Sequence, residues 1–362
     1  MQFCDVLSVE NKQRLNLSAH ARQVLLRDVG AFQPENALKR GAGQLSSNIV
    51  NHVFRCFRQK AHASVSMTLE QKRQELEQLF APLPAKACEK AVGLCLAAYE
   101  KELREECARR CAEKGYSFSI RIDRENLEFL ASPEGQAEAD IYKGSVGHYV
   151  KAVLEEYCEL PYTQRERICF GQVLDNVHLA QVEKRMLRLT LHSKSRTEAG
   201  EQNNVLYLKP IGCQEDAERL YNYVVGMTAS CPDGPWQPGT VRLTSIKACV
   251  RQARSGFVSA EERRRILEGI RRQGVQYLPE RSGAGRVVVK FTPEGEKMYR
   301  HMMHLRPLYT AREGNVYTFF CTLRQADNYF FKFGAQAQVL EPKTLAQSFQ
   351  EKYRAAAQTY EE

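Results

Sequence analysis

What this chain lacks narrows its function before any motif is sought. No apolar run approaches the roughly 20 residues that a membrane-spanning helix needs. The opening Met1-Gln2-Phe3-Cys4-Asp5 has neither the basic nor the apolar region of a secretory signal, so a cytoplasmic protein with no membrane association is expected. Twelve cysteines are present, yet none forms the paired two-residue-gap sets that hold zinc with histidines. They are scattered, often at helical spacing as in Cys107 and Cys111, and read as reduced, semi-buried core residues. Catalytic patterns are missing too: no nucleophile beside a base, paired carboxylates, arginine-x4-histidine nuclease signature, phosphate-binding glycine loop or activated serine. The eight histidines are thinly spread, and His301 with His304 is the only close pair. Three apart on a helix they could share a metal, but no Asp or Cys stands near to complete a set, so surface histidines are expected. An enzyme is not expected, nor a metal or other cofactor.

What is present is a folded, basic chain. With 362 residues and 43% hydrophobic content it has material for two or three domains with separate cores. The net charge is +9, and its location matters more than its size. From Arg242 to Arg312 there are 16 Lys/Arg against 6 Asp/Glu, a stretch that carries the whole imbalance. Such a belt is the footprint of a polyanion partner. A solubilising surface is the plainer alternative.

Four short runs between Met186 and Lys247 alternate with period two: Leu187–His192, Val205–Lys209, Tyr221–Gly226 and Val241–Thr244. This marks half-buried antiparallel strands. Leu187, Leu189, Leu191, Leu206, Leu208 and Leu243 then cover one face of a small sheet or barrel. Arg188, Thr190, His192, Tyr207, Lys209 and Arg242 fall together on the other, a cationic face that would seat an anionic ligand. The polar connections Ser193–Asn204 and Ala229–Pro238 are long enough to bind or flex.

Upstream, Gln13–Leu17 is a short alternating strand, Ser18 caps a helix to about Phe32, and a second helix opens near Ser46 or Ser47 with Ile49, Val50, Val53, Phe54 and Phe57. The pattern recurs in Ser117–Ile122, a short helix Arg124–Ser132, and a helix after Gly144-Ser145 bearing Tyr149, Val150, Val153 and Leu154. The runs Ser47–Phe54 and Gly147–Leu154 align without a gap, so the two halves are expected to pair their strands within one chain. Arg14, Asn16, Ser119 and Arg121 are the outward residues of that pair, and the helix starts at Ser46 and Ser145 would hold phosphates. Between the halves, Cys88, Val92, Leu96, Tyr99, Leu103, Cys107 and Cys111 stripe a connecting helix from about Ala85 to Lys114.

Downstream, Ser259-Ala260-Glu261-Glu262 is a capping-box start to a helix carrying Arg263, Arg264, Arg265, Arg271 and Arg272. These arginines outnumber the carboxylates Glu261, Glu262 and Glu268, which favours phosphate contact. Strands at Val287–Phe291 and Val316–Cys321 precede a closing helix from Lys343. The aromatics Phe319, Phe320, Tyr329, Phe330, Phe331 and Phe333 have two outlets, core packing or a subunit interface.

Several of these segments resemble known families. The succession Lys209-Pro210-Ile211, Asn222-Tyr223-Val224-Val225-Gly226 and Arg242-Leu243-Thr244-Ser245-Ile246 looks like a WYL domain, an SH3-like module that senses ligands or nucleic acids. Asn222 stands where the naming tryptophan does and Ser245 where an arginine is usual, departures that bear on the ligand pocket rather than the fold. The first half resembles a ribbon-helix-helix unit, and the C-terminal part a small ferredoxin-like α/β extension. An α+β chain is therefore expected: a helical ribbon-helix-helix-like module (1–162), an SH3-like β-barrel WYL domain (163–258) and a ferredoxin-like dimerisation domain (259–362). The whole is similar to the WYL-domain accessory proteins of type VI-D CRISPR systems. That resemblance implies a homodimer that binds single-stranded RNA and enhances a CRISPR effector ribonuclease; the belt from Arg242 to Arg312 and the rings of Tyr207 and Tyr223, on which bases could stack, support the RNA-binding part. A dimeric DNA-binding WYL-type transcription regulator, reading an operator through Arg14, Asn16 and Arg121, remains open. So does a ligand-sensing adaptor whose charge is incidental.

Overall fold

Alternating residues make strand β1 (Lys12–Leu17) and, a hundred residues later, β2 (Tyr116–Arg121), which pair antiparallel with Arg14 opposite Ser119 and Asn16 opposite Ser117. The structure, a computed structural model, describes residues 12–32, 47–112, 115–196, 202–216, 218, 220–278 and 284–360. Ser46 and its expected phosphate site lie outside them. The protein is α+β, mixed helix and sheet, in two compact units, Met1–Gly171 and Gln172–Glu362.

In the first unit the ribbon buries Leu15, Leu17 and Ile120 while Lys12, Arg14, Asn16, Ser117, Ser119 and Arg121 stay exposed. Helices α1 (Ala19–Phe32) and α2 (Ser47–Phe57) bury Val24, Leu25, Ile49, Val50, Val53, Phe54 and Phe57. Two more, α3 (Val65–Phe80) and α4 (Ala85–Ala112), form an antiparallel hairpin. Nothing in the sequence reading anticipated α3. Of the expected α4 stripe Val92, Leu103 and Cys107 are buried, while Cys88, Leu96 and Tyr99 are half-buried. After β2 come α5 (Arg124–Ala131), α6 (Pro133–Ile141), α7 (Val146–Glu159) and α8 (Tyr162–Cys169).

Helix α7 is the axis of this unit, buried on nearly every side. Its polar groups are therefore paired. Glu155 accepts from the Ser18 amide at 2.7 Å and hydroxyl at 2.6 Å, fastening the start of α1. Glu156 accepts from the His62 and Ala63 amides at 2.7 and 2.8 Å and meets Arg110 at 3.1 Å. Tyr149 bonds Ser64 and Tyr157 donates to Asp28. Each wholly buried aromatic or Leu here contributes about 1.5–3 kcal/mol of transfer free energy.

The second unit begins with α9 (Gly171–Val182) and a five-stranded antiparallel sheet: β3 (Arg185–Arg196), β4 (Gln202–Glu215), β5 (Asn222–Ala229), β6 (Gln237–Arg242) and β7 (Ile246–Ser255), in the order β6-β5-β4-β3-β7. Two expectations change here. The strand expected at Val241–Thr244 stops at Arg242, where Leu243–Ser245 turn as a 3-10 helix. The Lys/Arg-rich segment after it, read only as charge, is the edge strand β7, exposed along most of its length. Much of the expected loop Ser193–Asn204 is also strand, since β3 and β4 extend into it.

Helix α10 (Ala260–Gln273) starts on the expected capping box, with Ser259 and Glu262 each accepting from the other's amide. The remainder runs β8 (Ala284–Phe291), α11 (Pro293–His301), β9 (Tyr309–Glu313), β10 (Val316–Thr322), α12 (Leu323–Phe330), β11 (Ala337–Glu341) and α13 (Lys343–Gln358). Its antiparallel sheet has the order β11-β8-β10-β9. Phe319, Tyr329, Phe330 and Phe333 all enter one core with Phe291, and Phe331 stacks on Tyr353. Core packing thus accounts for them, and Phe320 alone of the six is exposed.

Candidate nucleic-acid interface

Strand register decides which of the expected site residues meet. Arg188 lies directly opposite Tyr207, and Tyr223 directly opposite Arg242. A bulge in β4 between Pro210 and Gly212 shifts face parity, so Lys209 faces Met227 while Gln214 faces Tyr223. All of these side chains consequently share one face of the sheet, as the alternation implied.

That face is not open from end to end. Its middle carries Val225 and Met227, onto which Ile266 of α10 and Val275 and Leu278 of the following turn pack. Thr240 donates to the Val275 carbonyl at 2.8 Å and secures the same cover. The reason is visible in β5: Val224 is buried on one side and Val225 and Met227 on the other, so this strand is apolar on both faces. An expectation of one apolar and one cationic face missed the second demand for burial. Tyr207 and Tyr223 are also far apart. Tyr223 pairs with Gln214, seven residues along β4 from Tyr207, or roughly 20 Å at strand rise. They do not form one stacking platform.

Two clusters remain at the two ends. At one, half-buried Arg188 and Tyr207 face each other, with Arg254 nearby but held by Asp233 at 2.7 Å. At the other, the Arg242 guanidinium lies 3.5 Å above the Tyr221 ring, a close cation–π contact. Arg242 Nε is buried without a hydrogen-bond partner among the described residues. Tyr223 beside it is pushed up to about 12, by burial first, with Arg242 pulling the other way. Lys209 is taken up differently, its ammonium 4.4 Å over Trp236. His192 is exposed on β3.

The basic stretch 242–312 is not one element. Its cations are spread over β7, α10, β8, α11 and β9, and at least six are matched to carboxylates. Those pairs are Arg251–Glu183, Arg254–Asp233, Arg264–Glu261, Arg286–Glu341, Lys297–Glu294 and Arg312–Glu296. On α10, Arg263, Arg265, Arg271 and Arg272 are exposed and make no ion pair within 4 Å among the described residues, although Arg265 is close enough for its charge to help lower the pKa of Glu262. In the first unit, Lys12 and Arg121 lie opposite each other at one end of the ribbon's exposed face, with Arg14 and then Asn16 following along β1, and none of these cations meets a carboxylate among the described residues. Arg14 donates from Nε to Ser117 at 2.6 Å across the strands. The helix start at Ser145 is capped internally, because the Ser145 hydroxyl accepts from the His148 amide. Among the described residues no group of three His, Cys, Asp or Glu is placed to hold a metal, and no helix is long and apolar enough to cross a membrane.

No family model and no curated protein matches this chain. Among solved structures, the whole chain is similar to one described as a CRISPR Cas-related protein. The TM-score is 0.72 at 16% identity, covering 100% of this chain and 97% of that one. At that identity the likeness is one of fold. The proteasome accessory factor B/C (PafBC) of Arthrobacter aurescens aligns at 13% identity over 95% of this chain and 54% of that one, with a TM-score of 0.28.

Proposed function

We propose that this protein is a non-enzymatic accessory protein of a CRISPR system that binds single-stranded RNA and enhances an RNA-guided ribonuclease. The observation that carries the binding half is α10, four of whose exposed arginines make no ion pair within 4 Å among the described residues. Guanidinium groups left unmatched at a surface are suited to phosphate oxygens. The CRISPR half rests on the full-length fold likeness to a protein described as CRISPR Cas-related. In this reading the first half is a ribbon-helix-helix-like pseudo-dimer, supported by the β1–β2 pairing and the matching burial of α2 and α7. The five-stranded sheet is the SH3-like WYL barrel. The succession from β8 to β11, with its sheet order β11-β8-β10-β9, is the ferredoxin-like domain through which a homodimer forms.

Fluorescence anisotropy with matched single-stranded RNA, single-stranded DNA and duplex DNA at two salt concentrations tests the reading. Tighter, weakly sequence-selective binding of RNA that falls steeply with salt is expected. Joint replacement of Lys209 and Arg242 by alanine weakens binding if the sheet face takes part, whereas unchanged affinity confines the site to α10. Addition of the protein to an RNA-guided ribonuclease should raise its cleavage rate, and no effect removes the accessory role. The exposed ribbon favours a second reading, duplex DNA recognition, since an antiparallel two-stranded ribbon fits the major groove. It expects preference for a palindromic duplex and weakening on Arg14→Ala.

A further inference from the structure

His304, left without a role by its sequence context, is engaged in the fold. The loop between β4 and β5 is closed on itself by Asp216, which is buried and accepts from the Leu220 and Tyr221 amides at 2.7 and 3.1 Å. The Asp216 amide in turn donates to the Tyr221 carbonyl at 3.0 Å. From this loop Glu218 reaches the segment after α11, where one carboxylate oxygen accepts from the Leu305 amide and the other meets His304 Nδ1. That segment is itself fixed to the core beneath. Tyr329 donates to the Met302 carbonyl at 2.7 Å, Tyr299 to the Pro307 carbonyl at 2.9 Å, and Arg306 lies over the Tyr299 ring. Leu305 adopts φ +58°, a left-handed conformation that a leucine keeps only when its surroundings hold it there. The last residue of the same loop, Tyr221, supplies the ring on which the Arg242 guanidinium lies.

We infer that Glu218 is a positioning residue for Arg242: by gripping His304 and the Leu305 amide it holds the loop that presents Tyr221, and through that ring it aims Arg242 at an RNA phosphate. The inference rests on Arg242 being one of the RNA contacts. It makes the α/β part that follows α10 a determinant of binding although its own residues need not touch RNA. A chain of packed and hydrogen-bonded groups of this kind couples sites without a long-range wire.

The test compares wild type, Glu218→Ala, Glu218→Gln, His304→Ala, Arg242→Ala and the double variant Glu218→Ala/Arg242→Ala. Each is titrated with a fluorescein-labelled single-stranded RNA over a salt series, and thermal midpoints confirm folding. Glu218→Ala should weaken binding roughly five-fold or more, a typical coupling between linked sites. It should also lower the steepness of log affinity against log salt by about 0.7, the value of one lost single-strand phosphate contact. Loss of fold integrity alone would not change that slope by one contact. The double variant should bind no more weakly than Arg242→Ala, since the two act through one guanidinium. An effect of Arg242→Ala with none from Glu218→Ala, or fully additive losses, overturns the positioning role and leaves RNA binding at Arg242 intact. Unchanged binding by Arg242→Ala overturns the premise as well.

Discussion

Asp28 and Arg165 meet fork to fork, Nε to Oδ2 at 2.8 Å and NH2 to Oδ1 at 3.1 Å, with Asp28 wholly buried and Arg165 5% exposed. The pair ties α1 to α8 across 137 residues, and Tyr157 adds a hydrogen bond to the same carboxylate at 2.9 Å. Removing one partner strands the other charge in the core. Arg165→Leu should therefore cost about 3–5 kcal/mol, read as a lowered urea midpoint, while Asp28→Leu/Arg165→Leu regains a large part of it. A loss below about 1 kcal/mol in the single variant would show that solvent reaches Asp28 after all.

Acidification should weaken the first unit through His52. Burial lowers its pKa from 6.5, the Cys169 carbonyl opposes this, and the nearby Arg55 charge adds to the lowering. The unfolded chain thus takes up a proton at higher pH than the folded one. The stability His52 contributes is complete above about 6.5 and is lost as pH falls towards the lowered value. Wild type should lose more stability than His52→Gln between about pH 7 and pH 5.5, measured by urea unfolding at each pH. Parallel curves refute this.

Glu138 has the opposite sign. It accepts from the Ser66 amide at 3.0 Å at the start of α3, but its second oxygen is buried with no hydrogen-bond partner among the described residues, and burial raises its pKa above 4.5. The folded chain holds that proton more tightly than the unfolded one, so stability falls as pH rises from 4.5 through the raised value. Glu138→Gln removes the charge while keeping an acceptor. It should unfold at a higher denaturant concentration than wild type at neutral pH, with the difference vanishing in acid.

Gly226 sits where β4 bulges. A Cβ there would lie 2.1 Å from the Lys209 carbonyl oxygen, which is backbone and cannot swing aside. Gly226→Ala should cost about 2–3 kcal/mol in a denaturant titration. Gly30→Ala, in α1 with nothing among the described residues within 4 Å of the new carbon, is the neutral or stabilising control.

Arg265 and Arg272 on α10 offer the plainest probe of RNA contact, being exposed and making no ion pair within 4 Å among the described residues. Their joint replacement by alanine should lower the salt slope of RNA affinity by about 1.4, two single-strand contacts, while leaving the thermal midpoint within error. An unchanged slope would take α10 out of the interface.

Local pattern made a large part of this fold readable. Period-two alternation marked β1, β2 and the start of β4, and Ser259 with Glu262 marked the first turn of α10. It failed where local signals conflicted with tertiary demands. The charged strand β7 is an exposed edge in which Ile246 alone is buried, and α3 carries only Val65 and Leu76 as buried apolar residues. The candidate site was legible as residue types and as a shared face, but not as an accessible one.

By itself the sequence determined which residues of β1, β2 and α2 face inward, because that follows from the 2.0 and 3.6 periods of the backbone. Arg14, Asn16 and Arg121 were outward residues from their spacing alone, and they are exposed. Only the tertiary structure decided which polar groups meet, since Glu183 finds Arg251, Glu341 finds Arg286 and Glu218 finds His304 across long stretches of chain. It also laid α10 across the middle of the cationic face. Those outcomes depend on strand order, on the bulge at Pro210–Gly212 and on apolar area left over after each sheet is built, quantities that no local window of sequence contains.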